Sequence, residues 1–134
     1  MRVTRPRRIR IEDAAMQLRA KRVYLPASDD DGNRVLVDRL WPRGLSKEKL
    51  GDAAWVKDVA PSDALRKWFG HEPAKWDGFR ERYFAELDAN PEGVAALREA
   101  LVEKGRNTLL FGAHDEAHNN AVALCEYLRA HRSG

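Results

Sequence analysis

Three short apolar segments of the chain have the length and composition of β-strands. They fall on residues 21–25, 35–39 and 107–112. The third segment has an unbroken Thr-Leu-Leu-Phe centre, which is typical of a strand buried on both faces of a sheet. Residues 17–24 also alternate between polar and apolar side chains, as an edge strand does. The pattern therefore predicts a small sheet.

Apolar positions elsewhere recur at the spacing of α-helices. The clearest helix follows Pro73, where five large apolar side chains share one broad face. They are Trp76, Phe79, Tyr83, Phe84 and Leu87. Asn90 and Pro91 are expected to end this helix and begin the next one, and the hydroxyl groups of Ser46 and Ser62 are placed to cap two shorter helices.

A last helix is predicted from Asp115 to Arg129, and a short helical stripe falls on residues 11–20. Early and late strands separated by several helices imply an α/β fold, with a small, mainly parallel sheet and about five helices in a single compact domain. The second and third strands are expected to be parallel. The nine residues between the first and second strands are too few for a crossover helix, so that pair is expected to be antiparallel or irregularly joined.

The length and composition fit one domain. The chain has 134 residues, of which 43% are hydrophobic, and this is enough for a single core. The formal charge of +3 originates at the start of the chain, since residues 1–10 contain five arginines and residues 11–134 contain 19 basic and 21 acidic side chains. Residues 1–15 are therefore expected to be a basic extension, or to precede a true start at Met16, and residues 16–134 to form the α/β domain.

Two absences in the sequence favour the cytoplasm. The chain lacks the run of roughly 20 apolar residues that a membrane-spanning helix needs, and its N-terminus lacks the apolar core of a secretory signal. Cys125 is the single cysteine and lies among apolar helical positions. It is expected to be a small buried hydrophobe and not a nucleophile.

Two polar clusters lie where predicted strands end, and ligands of open α/β sheets bind beyond such ends. The first cluster follows the second strand, and the other opens the last helix. The candidate residues are Asp38, Arg39, Trp41 and Arg43 in the first cluster and Asp115, His118 and Asn119 in the second. Asp115 is predicted to cap the last helix, and His118 to face the sheet from its first turn. A loop histidine, His71, is a further acid–base candidate.

His114 and His118 have the spacing of a zinc-binding histidine pair on one helical face. Asp115 stands where that zinc motif has a catalytic glutamate. His114 is expected to precede the helix, so the two imidazoles need not align. Zinc is therefore not predicted at this pair, and neither another metal nor a cofactor is predicted elsewhere.

Several strings of residues occur in the order and spacing of a known family. They include Asp38-Arg-Leu-Trp-Pro-Arg-Gly44, Leu65-Arg-Lys-Trp-Phe-Gly-His71, Asn90-Pro91 and Asp115-x-x-His-Asn119. Over about residues 16–128 the chain resembles the YeaO-like bacterial proteins, the family known as domain of unknown function 488. The resemblance implies a compact cytosolic α/β domain whose site uses the polar positions of these strings.

One functional hypothesis is a domain that binds, and as an enzyme acts on, a small anionic ligand such as a phosphate or nucleotide. Arg39 and Arg43 would hold the anion through forked hydrogen bonds, and the N-terminus of the last helix would add N–H donors. Asp38, with His118 or His71, would supply acid–base function.

Two other hypotheses stay open. A nucleic-acid-binding module would use the basic arm together with Trp41 or Trp68. In a purely structural cluster, Asp38 and Arg43 would pair with one another or with the last helix. The sequence does not indicate a membrane partner, and it leaves the oligomeric state open.

Overall fold

The structure is a computed structural model that describes residues 16–131. The strands are β1 (Gln17–Arg22), β2 (Asn33–Leu36), β3 (Ala54–Trp55) and β4 (Arg106–Phe111). The α-helices are α1 (Lys47–Leu50), α2 (Asp63–Phe69), α3 (Trp76–Asp88), α4 (Pro91–Ala100) and α5 (Asn120–Ala130). Single 3-10 turns cover Asp29–Asp31, Lys57–Val59 and Pro73–Lys75.

The four strands form one parallel sheet in the order β1-β4-β2-β3. This confirms the predicted α/β fold class and the parallel pairing of the second and third predicted strands, which are β2 and β4. The antiparallel alternative for the first two strands was wrong, because both are parallel to β4, which lies between them. Their connection is irregular, since it contains a 3-10 turn and no crossover helix. The pattern also missed β3, which has only two residues, both exposed, and therefore has no apolar signal.

Two of the predicted boundaries differ clearly from the structure. The first strand begins at Gln17, four residues before the predicted start. The helix expected on residues 11–20 was therefore wrong for residues 17–20, which belong to this strand. Residues 11–15 lie outside the described part of the chain. The basic arm, residues 1–15, also lies outside it. The last helix begins at Asn120 and not near Asp115, because the side chain of Asn119 caps it by accepting the N–H of Val122 at 3.0 Å.

Alternate residues of the central strands enter different cores. Leu109 and Phe111 of β4 belong to the large core that the sheet forms with α2, α3, α4 and α5. Leu110 belongs to a smaller core on the other face, with Leu36 and Leu50. This follows from the two-residue repeat of a strand. The helices therefore cover mainly one face of the sheet, and α1 with its flanking loops covers the other.

The predicted helix starts are confirmed by their capping bonds. The hydroxyl oxygen of Ser46 accepts the N–H of Lys49 at 3.0 Å, and that of Ser62 accepts the N–H of Leu65 at 3.1 Å. Asn90 caps α4 by accepting the N–H of Gly93 at 3.1 Å. Such caps satisfy backbone donors that a helix itself leaves unpaired, and each is worth about 1 kcal/mol.

Two polar residues are buried in the central strand β4, and both are paired. The side chain of Asn107 accepts the N–H of Val102 at 2.9 Å and donates to its carbonyl at 3.0 Å. The hydroxyl of Thr108 donates to the backbone carbonyl of Asp31 at 2.7 Å. Because an unpaired buried polar group costs about 1–3 kcal/mol, these bonds anchor the loops that lead into β4 and β2.

Asp31 is the centre of an ion cluster at the amino end of β2. Its carboxylate is inaccessible to solvent and forms ion pairs with Arg19, Lys21 and Arg34. Burial by itself would raise the pKa of Asp31, but hydrogen bonds from Lys21, from the N–H of Ser28 and from Arg19 lower this pKa to about 2. Asp31 is therefore ionised in the folded protein at neutral pH.

Within residues 16–131, no helix combines the length and apolar character needed to cross a bilayer.

The Asp31 cluster predicts a stability loss that depends on pH. We expect Asp31→Asn to lower the free energy of unfolding by about 2 kcal/mol at pH 7, since it removes bonds between charged groups. A lowered pKa stabilises the fold above the unfolded value of about 3.9, and the effect is lost as the pH falls toward 2. Denaturant unfolding at pH 7, 4 and 2.5 should show the difference from wild type shrinking below pH 4.

Asp30→Asn is the matched control for this prediction. Asp30 is the neighbouring residue, is exposed, and among residues 16–131 forms one ion pair, with the exposed Arg106, so its loss should cost less than about 0.5 kcal/mol. Equal losses in the two variants would contradict the central role of Asp31.

Candidate functional site

A cleft of about 1090 Å³ opens at the carboxyl edge of the sheet. The ends of β1, β2 and β4 reach it, together with α2 and the start of α5. All eight residues predicted as a site from the sequence line this one cleft. They are Asp38, Arg39, Trp41, Arg43, His71, Asp115, His118 and Asn119. The carboxyl ends of parallel strands meet at one edge of a sheet, which explains why segments distant in sequence converge here.

Asp38 joins three elements at the base of the cleft. Its Oδ2 accepts the backbone N–H of Gly112 at 2.9 Å, directly after β4. Its Oδ1 accepts from Nδ2 of Asn120, the first residue of α5, at 3.2 Å. A Cβ atom placed on Gly112 would lie 3.1 Å from Oδ2 of Asp38, so glycine allows this close approach. Asp38 thus contacts the side chain of the first residue of α5, near the helix start where the sequence hypothesis placed a ligand anion.

The environment of Asp38 opposes its ionisation. Burial is the largest effect and raises the pKa of Asp38. The hydrogen bonds from Asn120 and from the N–H of Gly112, and the charge of Arg66, act in the opposite direction without cancelling it. Asp38 is therefore a carboxyl group whose proton affinity is increased by the fold, as is common for acid–base residues.

Three of the predicted ligand-binding residues use their polar groups within the fold. The guanidinium of Arg39 donates to the carbonyls of Ala60 and Pro61 at 3.2–3.4 Å. The indole of Trp41 donates to the carbonyl of Leu45 at 2.7 Å. Asn119 is buried, and its amide caps α5 and donates to the carbonyl of Asp115 at 2.9 Å. These contacts give all three a structural role that spacing alone did not indicate.

Asp115 and His118 form a pair on the bend before α5. The Nδ1 atom of His118 lies 2.9 Å from Oδ2 of Asp115, and the other carboxylate oxygen accepts the N–H groups of Ala117 and His118. The hydrogen bond with His118 is the main reason that the pKa of Asp115 is lowered. The imidazole also packs edge-on against Trp76, with ring centroids 5.2 Å apart. Asp115 therefore orients His118. The prediction that Asp115 caps the last helix was wrong, because Asn119 caps it.

His114 is exposed at the rim of the cleft, and both His114 and His118 precede α5. The helical spacing that suggested a zinc pair consequently does not describe these two residues, because neither of them is helical. Asp115, which lies between them, is already engaged by His118.

His71 is the one non-glycine residue with a positive φ among residues 16–131, at 59°. It follows Gly70, which ends α2 in the left-handed conformation. Its exposed ring lies 6.3 Å from that of Phe69. Such a backbone conformation costs of order 1 kcal/mol for a non-glycine residue, and here it places the imidazole at the cleft.

Arg22 and Tyr24 were missed by the sequence interpretation. Nε of Arg22 donates to the carbonyl of Ala113 at 3.0 Å, and its guanidinium lies 5.2 Å from the centre of the Tyr24 ring. The hydroxyl of Tyr24 in turn donates to the backbone carbonyl of Arg43 at 2.7 Å. Tyr24 thus connects the wall that contains Arg22 to the loop that contains Arg43. The available signal was an arginine at the end of a strand. The predicted strand continued to residue 25, so Arg22 was placed inside the strand and not at its end.

The cleft has an excess of positive charge. Five cationic side chains line it, against only the two carboxylates of Asp38 and Asp115. The cations are Arg22, Arg39, Arg43, Arg66 and Lys67. Arg66 pairs with Asp63, whereas Arg22 and Arg43 have no acidic partner among residues 16–131. By contrast, residues 16–131 as a whole contain 18 basic and 19 acidic side chains, so the excess is local to the cleft.

Cys125 is buried in the large core, and burial raises the pKa of its thiol to about 11. A thiol protonated at neutral pH fits the predicted role as a small hydrophobe.

The structure is thus an α/β domain on a parallel four-stranded sheet, with a cationic cleft at its carboxyl edge. The chain belongs to the family described as the inactive DUF488-N3 subclade, whose model matches residues 17–133. It is 42% identical to the uncharacterized protein YeaO of Escherichia coli K12 over 115 residues, which are 86% of this chain and 99% of that protein.

It is also 40% identical to the uncharacterized protein Rv3073c of Mycobacterium tuberculosis H37Rv over 114 residues, 84% of this chain and 93% of that protein. The resemblance to YeaO-like proteins is confirmed. No solved structure matches the chain.

The raised pKa of Asp38 predicts a second pH effect, opposite in sign to that of Asp31. An acid with a raised pKa binds its proton more tightly in the folded state, so its ionisation reduces stability as the pH rises above about 3.9. The stability of wild type relative to Asp38→Asn should therefore fall between pH 4 and pH 7. Urea unfolding of both proteins across this range measures the trend. A constant difference would contradict it. Asp31→Asn is the control, because the pH effect of Asp31 lies below pH 4 and its difference from wild type should stay nearly constant across this range.

Proposed function

We propose that this domain binds a small anionic ligand of the phosphate class in the cleft, with Arg22 and Arg43 as the main anion-binding residues. The single observation that supports this is the presence of these two arginines in the cleft without an acidic partner among residues 16–131. Arginine presents a planar fork of N–H donors that matches phosphate oxygens. Two such groups in one concave surface give it a positive potential that attracts an anion.

The assignment differs from the sequence hypothesis in one arginine. Arg39 had been expected to act with Arg43, but its N–H groups already donate to two backbone carbonyls. Arg22 is the better partner because only its Nε is used by the fold among residues 16–131, while the carbonyl of Ala113 and the ring of Tyr24 hold the guanidinium in position. A side chain held in place before binding loses less entropy when the ligand arrives.

Binding is proposed here without turnover. The family is described as an inactive subclade, which supports a binding role over catalysis. Asp38 also accepts from the side chain of Asn120 at the start of α5, so an anion bound there would lie beside a carboxyl group, and the arginines are the better donors. The acid–base roles of Asp38, His71 and His118 stay predictions. The nucleic-acid hypothesis combined residues 1–15, which lie outside the described part of the chain, with Trp41 or Trp68, and the indole N–H of Trp41 donates to the carbonyl of Leu45.

Pyrophosphate is a suitable probe, because it presents phosphate oxygens without an organic group. We expect it to raise the melting temperature of wild type, since a ligand that binds only the folded state stabilises it. Arg43→Ala and Arg22→Ala should each weaken binding about 10- to 100-fold, as expected for loss of a charged hydrogen-bonding group. Calorimetric titration and thermal unfolding measure the two effects.

Lys104→Ala is the matched control, because it removes one positive charge from an exposed residue outside the cleft. It should bind pyrophosphate as wild type does. Equal pyrophosphate affinity of all four proteins would refute the proposal. An equal rise in melting temperature with sodium chloride at the same ionic strength would also refute it.

A further inference from the structure

We infer that the ligand is a nucleotide, in which a flat base with polar edges is joined to the phosphate that Arg22 and Arg43 bind. The inference rests on the proposed function and names its ligand class. Three features of the cleft support it: its size, an exposed apolar side chain in its wall, and the hydrogen-bonding groups along the same surface.

The size of the cleft exceeds what an inorganic anion needs. Pockets for organic ligands and cofactors are commonly about 300–1,000 Å³, and this cleft measures about 1090 Å³. A phosphate group at Arg22 and Arg43 would fill only a small part of it. The remaining volume fits an organic group attached to the phosphate.

Leu40 places an apolar side chain in the wall of the cleft. Of the large apolar residues described as exposed it is the most exposed, at 63%, and it follows Asp38 and Arg39 on the segment that leads to Arg43. Pro42 and Pro61 line the same cleft. An apolar surface beside an anion-binding group favours a ligand that has both characters, because burial of Leu40 and of the ligand's own apolar group is favourable.

Polar groups along the cleft favour a base over an alkyl chain. His114 and His118 have ring nitrogens that can pair with a ligand, and both residues line the cleft. Within residues 16–131, His118 forms a hydrogen bond through Nδ1, which leaves Nε2 available. An alkyl chain would cover such groups without pairing them, which is costly, whereas a base has donors and acceptors at its edge.

The test is a calorimetric titration of wild type with ADP, GDP, CDP and UDP, compared with inorganic phosphate, pyrophosphate and butyl phosphate. We expect at least one nucleoside diphosphate to bind about tenfold or more tightly than pyrophosphate, as the added burial of an organic group allows. Butyl phosphate should bind no better than inorganic phosphate.

The outcomes separate the two proposals. Pyrophosphate binding that no nucleoside diphosphate exceeds would overturn the nucleotide inference and leave the anion site intact. Tighter binding of butyl phosphate than of inorganic phosphate would also overturn the nucleotide inference, in favour of an alkyl phosphate ligand. Failure of pyrophosphate and of every nucleotide to bind would overturn both proposals.

A variant pair tests the contribution of Leu40. Leu40→Ala should weaken binding of the preferred nucleotide about three- to tenfold, as expected for loss of a few buried methyl and methylene contacts, and should leave pyrophosphate binding unchanged. Leu25→Ala is the matched control, because Leu25 is also exposed, at 40%, and lies outside the cleft. Nucleotide affinity that is equal in wild type and Leu40→Ala would contradict the position proposed for the base.

Discussion

The arrangement of the carboxyl edge depends on the carboxylate of Asp38. Its two oxygens accept from Gly112 and Asn120, so one side chain joins the ends of β2 and β4 to the start of α5. The backbone carbonyl of Asp38 also accepts from the indole of Trp55 in the edge strand β3, at 2.7 Å. Arg22 and Arg43, which have no acidic partner among residues 16–131, line the cleft at the same edge.

The two ends of the sheet affect the ionisation of Asp31 and Asp38 in opposite directions. At the amino end of β2, Asp31 is surrounded by three cations, and the fold favours its ionised form. At the carboxyl end, burial disfavours the ionised form of Asp38, and cations outnumber acids. The first arrangement satisfies its charges internally and stabilises the fold. The second leaves positive charge facing solvent in a concave surface, where an anion can approach.

Much of the fold was predictable because its signals are local. Apolar spacing located α3, and the side chains of Ser46, Ser62 and Asn90 located three helix starts, since a cap is a bond between residues three positions apart. The buried strand β4 was recognisable from four consecutive residues. The position of the site was also predictable, because parallel strands share a carboxyl edge and polar residues followed two of them.

The details of that site required contacts between distant segments. The start of the last helix was misplaced because Asp115 and Asn119 are both good capping residues, and only the chain path before α5 selects between them. Arg39 was expected to face a ligand, but it donates to the carbonyls of Ala60 and Pro61, about 20 residues away in sequence, whereas Arg22, for which the sequence predicted no role, lines the cleft. Contacts between residues so far apart in sequence cannot be recognised from the residue pattern of either segment.

The sequence by itself therefore determined the helices, the buried strand, the family and the edge of the sheet at which polar residues gather, because each depends on local periodicity, capping or a contiguous motif. Only the tertiary structure decided the strand order, with β4 between β1 and β2, and the partner of each polar side chain. The physical reason is that a hydrogen bond depends on which donors and acceptors lie within about 3 Å of each other, and packing of the whole chain sets that distance. The same packing left Arg22 and Arg43 facing the cleft while it tied Arg39 and Asn119 into the fold.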